Sequence, residues 1–222
     1  MIEIVPTILA ESQREFEEKL RAVEKQAKIV HVDIMDGTLV PFTNWFDARA
    51  VGAMETPVQF EMHLMVSNPL PIIAQWAAAV PHLFRAIFHA ELERPLNKIA
   101  ESIRQDFRLE AGLALNPETP LDEIHAVLGD IQLLLFLGVH PGRSGQTFEG
   151  DYILEKIREA RLRAPRLAMG VDGGITPENL PDFVQAGVSH VCTGSAVFAS
   201  ERPAESIEKL QKEAEKMSGS TA

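Results

Sequence analysis

Short apolar runs of strand length alternate along the chain with stretches where apolar residues return every three or four positions. The runs are Ile2–Leu9, Lys28–Asp33, Val58–Leu64, Phe84–His89, Leu109–Leu115, Ile131–Val139, Leu167–Asp172 and Val188–Thr193. Several are apolar at consecutive positions, as expected of parallel strands covered on both faces. After the first run, Phe16, Leu20, Val23 and Ala27 follow one another at helical spacing, which predicts an amphipathic helix. Similar stripes are Leu96, Ile99 and Ile103, then Ile153, Ile157, Ala160 and Ala164, then Ile207, Leu210, Ala214 and Met217. The segments Pro69–Ala79 and Pro177–Ala186 open on proline, which suits a first helical turn. A weaker helical stretch covers Phe46–Met54, and a short helix is predicted after Thr119-Pro120.

Eight strand–helix pairs predict an α/β fold, a single-domain (β/α)8 TIM barrel over residues 1–217. The small polar residues 218–222 are predicted to fray. An open doubly wound sheet shares the alternation; the placement of the polar residues favours the barrel. The length of 222 residues suits one domain of this kind. A net charge of −11 argues against a nucleic-acid or anionic-membrane surface. The one cysteine, Cys192, excludes an intramolecular disulfide and fits a reducing, cytoplasmic setting. No apolar run is long enough to span a bilayer, and the N-terminus has no secretory-signal pattern.

Polar residues collect at the predicted C-terminal strand ends, where a barrel carries its active site. His31 and Asp33 are two apart and share a face of the second strand. His63 lies near the end of the third strand, and Asp172 ends the seventh. Two imidazoles and two carboxylates suit one divalent metal ion: zinc, iron(II) or manganese. His89 ends the fourth strand at the same rim and either lines the pocket or satisfies a loop. His82, His125 and His190 read as solvated residues of loops or helix flanks. Three glycine-rich loops follow the last strands: Gly142-Arg143-Ser144-Gly145, Gly173-Gly174 and Gly194-Ser195. Their backbone N–H groups could hold a phosphate, and the alternative is that they serve tight turns only.

These strings together resemble the ribulose-phosphate 3-epimerase family. The carriers are His31-Val32-Asp33-Ile34-Met35-Asp36-Gly37, Met62-His63-Leu64-Met65-Val66, Gly112-Leu113-Ala114-Leu115-Asn116-Pro117, Val171-Asp172-Gly173-Gly174 and Gly194-Ser195-Ala196. The resemblance runs from Pro6-Thr7-Ile8-Leu9 to about Leu210. It implies a metal-dependent isomerase that epimerises C3 of a ketose phosphate, interconverting D-ribulose 5-phosphate and D-xylulose 5-phosphate. It further implies that His31, Asp33, His63 and Asp172 hold the metal, and that Asp33 and Asp172 are the catalytic acid and base. Thr7, Met35, His63, Met65 and Leu137 would contact substrate, with core packing the alternative for the methionines. The resemblance also implies a homo-oligomer.

The chain departs from the family's usual residues in several places. Thr7 replaces a serine and keeps the hydroxyl. Thr38-Leu39-Val40-Pro41-Phe42 stands where His-Phe-Val-Pro-Asn is common, beside an unusual Trp45-Phe46. Leu137 replaces a methionine, Glu61 an aspartate that reads as structural, and Arg143-Ser144 a Phe-Gly pair. Arg143 points either to solvent or to the phosphate. The altered Thr38–Phe42 loop keeps a second substrate open, D-allulose 6-phosphate. A non-catalytic sugar-phosphate binder and a metal-free phosphate-binding barrel are the readings from other classes.

Overall fold

A computed structural model describes residues 2–143 and 145–218. Eight parallel strands close in sequence order into one barrel. They are β1 (Glu3–Ile8), β2 (Ile29–Met35), β3 (Gln59–Met65), β4 (Leu83–His89), β5 (Glu110–Leu115), β6 (Leu133–Leu137), β7 (Ala168–Asp172) and β8 (His190–Thr193). The helices are α1 (Gln13–Val23), α2 (Ala48–Gly52), α3 (Pro69–Ala79), α4 (Leu96–Gln105), α5 (Asp151–Arg163), α6 (Leu180–Ala186), α7 (Ser195–Phe198) and α8 (Pro203–Ser218). Closure of β8 onto β1 excludes the open doubly wound sheet. The predicted tail 218–222 lies outside the described residues except for Ser218, the last residue of α8.

The period of two along each strand sorts the core into layers. On β2, Val30, Val32 and Ile34 face the helices, whereas Ile29, His31, Asp33 and Met35 face the barrel axis. On β3, Phe60, Met62 and Leu64 pack outward, leaving Glu61, His63 and Met65 inward. The outer layer meets helix stripes such as Phe16, Leu20 and Val23 of α1. Burying each of those side chains contributes about 1.5–3 kcal/mol. Ser12 caps α1 by accepting from the Glu15 N–H. The axis is apolar only in part: Val5, Ile87, Leu133, Leu135 and Cys192 share it with the polar residues. Gly112 and Gly170 make room there, since a Cβ would stand 2.7 Å from Ile87 Cγ1 and 2.8 Å from Leu135 Cδ1, respectively.

Where the elements end differently from the sequence reading, local hydrogen bonds give the reason. β6 stops at Leu137 rather than Val139. Gly138 instead donates to the Asp172 carbonyl, and a Cβ on it would meet the Gly173 oxygen at 2.3 Å. α6 starts at Leu180 rather than Pro177. The Asn179 side chain accepts from the Thr176 N–H and donates to the Gly174 carbonyl, which holds the preceding turn out of the helix. The segment after Pro120 is a single 3-10 turn, Leu121–Ile124. α2 is confined to Ala48–Gly52 by an Asp47 cap on the Ala50 N–H. α7, which directly follows Gly194, was not legible as a helix.

Candidate active site

The β2–β3 register sets Asp33 beside His63, and the β6–β7 register sets Leu137 beside Asp172. These neighbours converge at the C-terminal mouth of the barrel. One ligand atom from each of His31, Asp33, His63 and Asp172 lies within 4.8 Å of the others. His63 Nδ1 is 3.1 Å from Asp33 Oδ1 and 3.7 Å from Asp172 Oδ2. His31 Nε2 is 3.5 Å from Asp33 Oδ1 and, among the described residues, has no hydrogen-bond partner although it is buried. A buried imidazole nitrogen without a partner costs about 1–3 kcal/mol. A cation at the centre of the four groups would satisfy it, so the residues fit a divalent metal.

The two carboxyls sit in different electrostatic environments. Burial acts to raise Asp33, but the facing imidazoles of His31 and His63 outweigh it and hold the carboxyl well below the usual range. Burial, and then the charge of Asp33, push Asp172 up to about 6. The Thr7 hydroxyl, 3.4 Å from Asp172 Oδ1, donates to that carboxyl from β1.

Beneath the cluster lies a buried polar network centred on Glu61. Its Oε1 accepts from His31 Nδ1 and His190 Nε2, each at 2.7 Å, and its Oε2 accepts from Arg85 Nη1 at 2.7 Å. Burial opposes the charge of Glu61, but His190 and then His31 hold its carboxyl well below the usual range. Burial likewise acts to lower His190, yet the Glu61 charge lifts it to about 10. The reading of His190 as solvated is therefore corrected: the side chain is buried and charged-partnered, because its strand position points it at the axis. His82 and His125 are exposed, as the sequence suggests. His89 does not line the pocket; it stands behind His63 with Glu91 as its second partner.

The pocket above the four groups is lined by Thr7, Asp33, Met35, His63, Met65, Leu137 and Asp172, together with Gly142, Arg143, Gly145, Gly173, Gly174, Gly194 and Ser195. Every predicted site residue is thus at this pocket except His31, which lies below it, and Ser144, which lies outside the described residues. Met35 and Met65 pack with Val40 and the partly buried Leu9 and Phe42 to form one wall. Gly173 and Gly174 have φ of 86° and 71°, a conformation that favours glycine for the turn alone. Arg143 is exposed and stacks its guanidinium 5.0 Å from the centre of the Phe42 ring, which bridges the loops after β2 and β6.

Two further residues escaped sequence reasoning. Asn44 accepts from the Met35 N–H and donates to the Asp33 carbonyl, both at 2.7 Å, and so clamps the end of β2. His140 lines the pocket at its exposed edge, between Glu118 and Glu149. Neither carries a local signal, because both depend on how loops fold back over the rim.

The chain is similar to known proteins in both sequence and fold. The chain is 31% identical over 219 residues to a ribulose-phosphate 3-epimerase of Bacillus subtilis, covering 95% of this chain and 99% of that protein. It is 33% identical over 211 residues to ribulose-phosphate 3-epimerase 2 of Cupriavidus necator, covering 90% and 85%. The fold is similar to the crystal structure of 3-keto-L-gulonate-6-phosphate decarboxylase from Vibrio cholerae, with a TM-score of 0.74 at 11% identity over 97% of this chain and 98% of the other. A 3-hexulose-6-phosphate synthase from Salmonella typhimurium gives 0.72 at 12% identity, over 97% and 100%. The model of the Ribulose-phosphate 3 epimerase family matches residues 3–198, so the chain belongs to that family of isomerases.

Proposed function

We propose that this protein is a metal-dependent 3-epimerase that interconverts D-ribulose 5-phosphate and D-xylulose 5-phosphate. The observation that carries the reading is the pair Asp33 and Asp172, two carboxyls brought into one cluster at the mouth of the pocket. Inverting a carbon beside a ketone requires a base on one face and an acid on the other, and two carboxyls can divide those roles. Asp33 takes the C3 proton. Asp172 delivers one to the opposite face. In the reverse direction the two exchange roles.

His31, Asp33, His63 and Asp172 would hold one divalent ion: zinc, iron(II) or manganese. Bound there, it would supply Lewis-acid stabilisation of negative charge on the ketone oxygen. Thr7 orients Asp172, while Met35, Met65 and Leu137 present an apolar wall that limits water at C3. The N–H groups around Gly142, Gly145, Gly173, Gly174, Gly194 and Ser195 supply neutral donors for the phosphate, with Ser144 assigned to the same loop. This use of backbone dipoles suits a chain of net charge −11. Arg143 would add a charge-assisted contact if it swings off Phe42. No helix among the described residues is long and apolar enough to cross a membrane. The assigned setting is cytoplasmic, with a phosphorylated ketose as partner and no nucleic acid or membrane.

Solvent-deuterium exchange followed by NMR tests the reading. The metal-loaded protein should incorporate deuterium at C3 of D-ribulose 5-phosphate and form D-xylulose 5-phosphate. Asp33→Asn and Asp172→Asn should each abolish exchange while remaining folded. Turnover of D-allulose 6-phosphate without turnover of the pentulose would reassign the substrate. Absence of exchange with either sugar would favour a non-catalytic binder.

A further inference from the structure

The loop after β6, to which the phosphate is assigned above, is tied to itself. Gln146 Nε2 donates to the carbonyls of His140 and Arg143, at 2.6 and 2.9 Å. On one flank the His140 ring lies 2.7 Å from Glu118 and 2.6 Å from Glu149. A loop cross-tied in this way moves as a unit. Its place over the pocket therefore depends on what holds it from outside.

On the other flank stands Phe42, from the segment after β2. A Cβ on Gly142 would lie 2.2 and 2.6 Å from Cδ2 and Cε2 of its ring, so the ring rests on bare backbone. Gly142 also has a φ of 122°, which side-chain-bearing residues rarely adopt. The guanidinium of the next residue, Arg143, stacks 5.0 Å from the centre of the same ring. Phe42 packs as well against the cluster of Met35, Val40 and Met65 at the barrel mouth. The segment that carries it is fixed to β2: Thr43 pairs with Asp36, and Asn44 holds the Met35 N–H and the Asp33 carbonyl. Phe42 thus joins the loop after β6 to the strand end that bears Asp33.

We propose that Phe42 is a positioning residue that seats the loop after β6 at a fixed spacing from Asp33, by packing on Gly142 and stacking with Arg143. The phosphate and the reacting carbon belong to one short molecule. Both ends are held together only when the loop and the carboxyl stand at the matching spacing. A loop that is seated for only part of the time weakens binding by that fraction. The role in binding rests on the phosphate grip of the proposed function; the seating of the loop does not.

Trypsin reads the seating directly, because cleavage after Arg143 requires the guanidinium to leave the ring and the loop to open. The cleavage rate follows the open population when opening is fast. Phe42→Leu keeps an apolar contact and loses the stacking face, and should speed cleavage after Arg143 about 2- to 5-fold. Phe42→Ala loses both and should speed it about 10-fold or more. Phe42→Tyr keeps the ring and should restore the wild-type rate. Cleavage at the other lysines and arginines should not rise. The KM for D-ribulose 5-phosphate should rise at least about 3-fold in Phe42→Ala, by more than kcat falls. An unchanged rate after Arg143, an unchanged KM, or a rise at every cleavage site in both Phe42→Leu and Phe42→Ala overturns the proposal. If the cleavage series is as expected but wild type turns over no ketose phosphate, the epimerase reading fails separately. The Kd for inorganic phosphate, measured by isothermal titration, must then rise in Phe42→Ala; an unchanged Kd overturns the proposal as well.

Discussion

Glu61→Gln is the most informative single change outside the pocket. The substitution keeps the shape of a fully buried side chain and removes its charge. In wild type its two oxygens receive three donors at 2.7 Å, from His31, His190 and Arg85. A glutamine has one oxygen and one NH2. If the oxygen faces the two histidines, the NH2 meets the Arg85 N–H; if it faces Arg85, the NH2 meets both imidazoles. Each orientation sets donor against donor and leaves buried cationic partners without their counter-charge. Arg85 retains Glu110 at 2.6 Å, so the loss falls mainly on His190 and on the orientation of His31. Removing one partner of a buried pair costs about 3–5 kcal/mol. At about 2–4 °C per kcal/mol for a chain of this size, Tm should fall by about 6–20 °C. Urea denaturation of metal-free wild type and variant would measure the difference at constant m-value. A loss within about 0.5 kcal/mol, the range of an ordinary surface change, would refute the view that Glu61 balances buried charge.

The same pair makes stability depend on pH. His190 is raised to about 10 in the folded protein against an ordinary 6.5, so its contribution is complete below about 6.5 and is lost as pH rises through about 10. Denaturation between pH 6.5 and 10 should show a loss of up to about 1.4 kcal/mol per pH unit from this group, absent in Glu61→Gln. Gly52→Ala should destabilise by about 1–3 kcal/mol or more on thermal melting, because its Cβ would stand 1.9 Å from the Ala79 carbonyl oxygen and force α2 off α3. Metal present at about 100-fold its Kd should raise stability by about 2.7 kcal/mol over the chelated protein, reversibly on re-addition; no shift in Tm with Zn2+ or Mn2+ would count against the site.

Much of this protein is legible in its sequence because the signals are local. Alternating periods set the strand–helix units, and inward positions such as His31, Asp33, His63 and Asp172 follow from strand parity and position near strand ends. The glycine pairs after the last strands mark turns that converge on the mouth. Tertiary structure decided what parity alone cannot. His190, at the start of β8, looks like a flank residue until barrel closure brings it to Glu61 on β3, 129 positions away. Asp33 and Asp172 are both carboxylates at strand ends in the sequence; only their neighbours pull one carboxyl below the usual range and push the other above it. Proton positions and pKa values depend on desolvation and on distances across strands, and those quantities exist only once the barrel has closed.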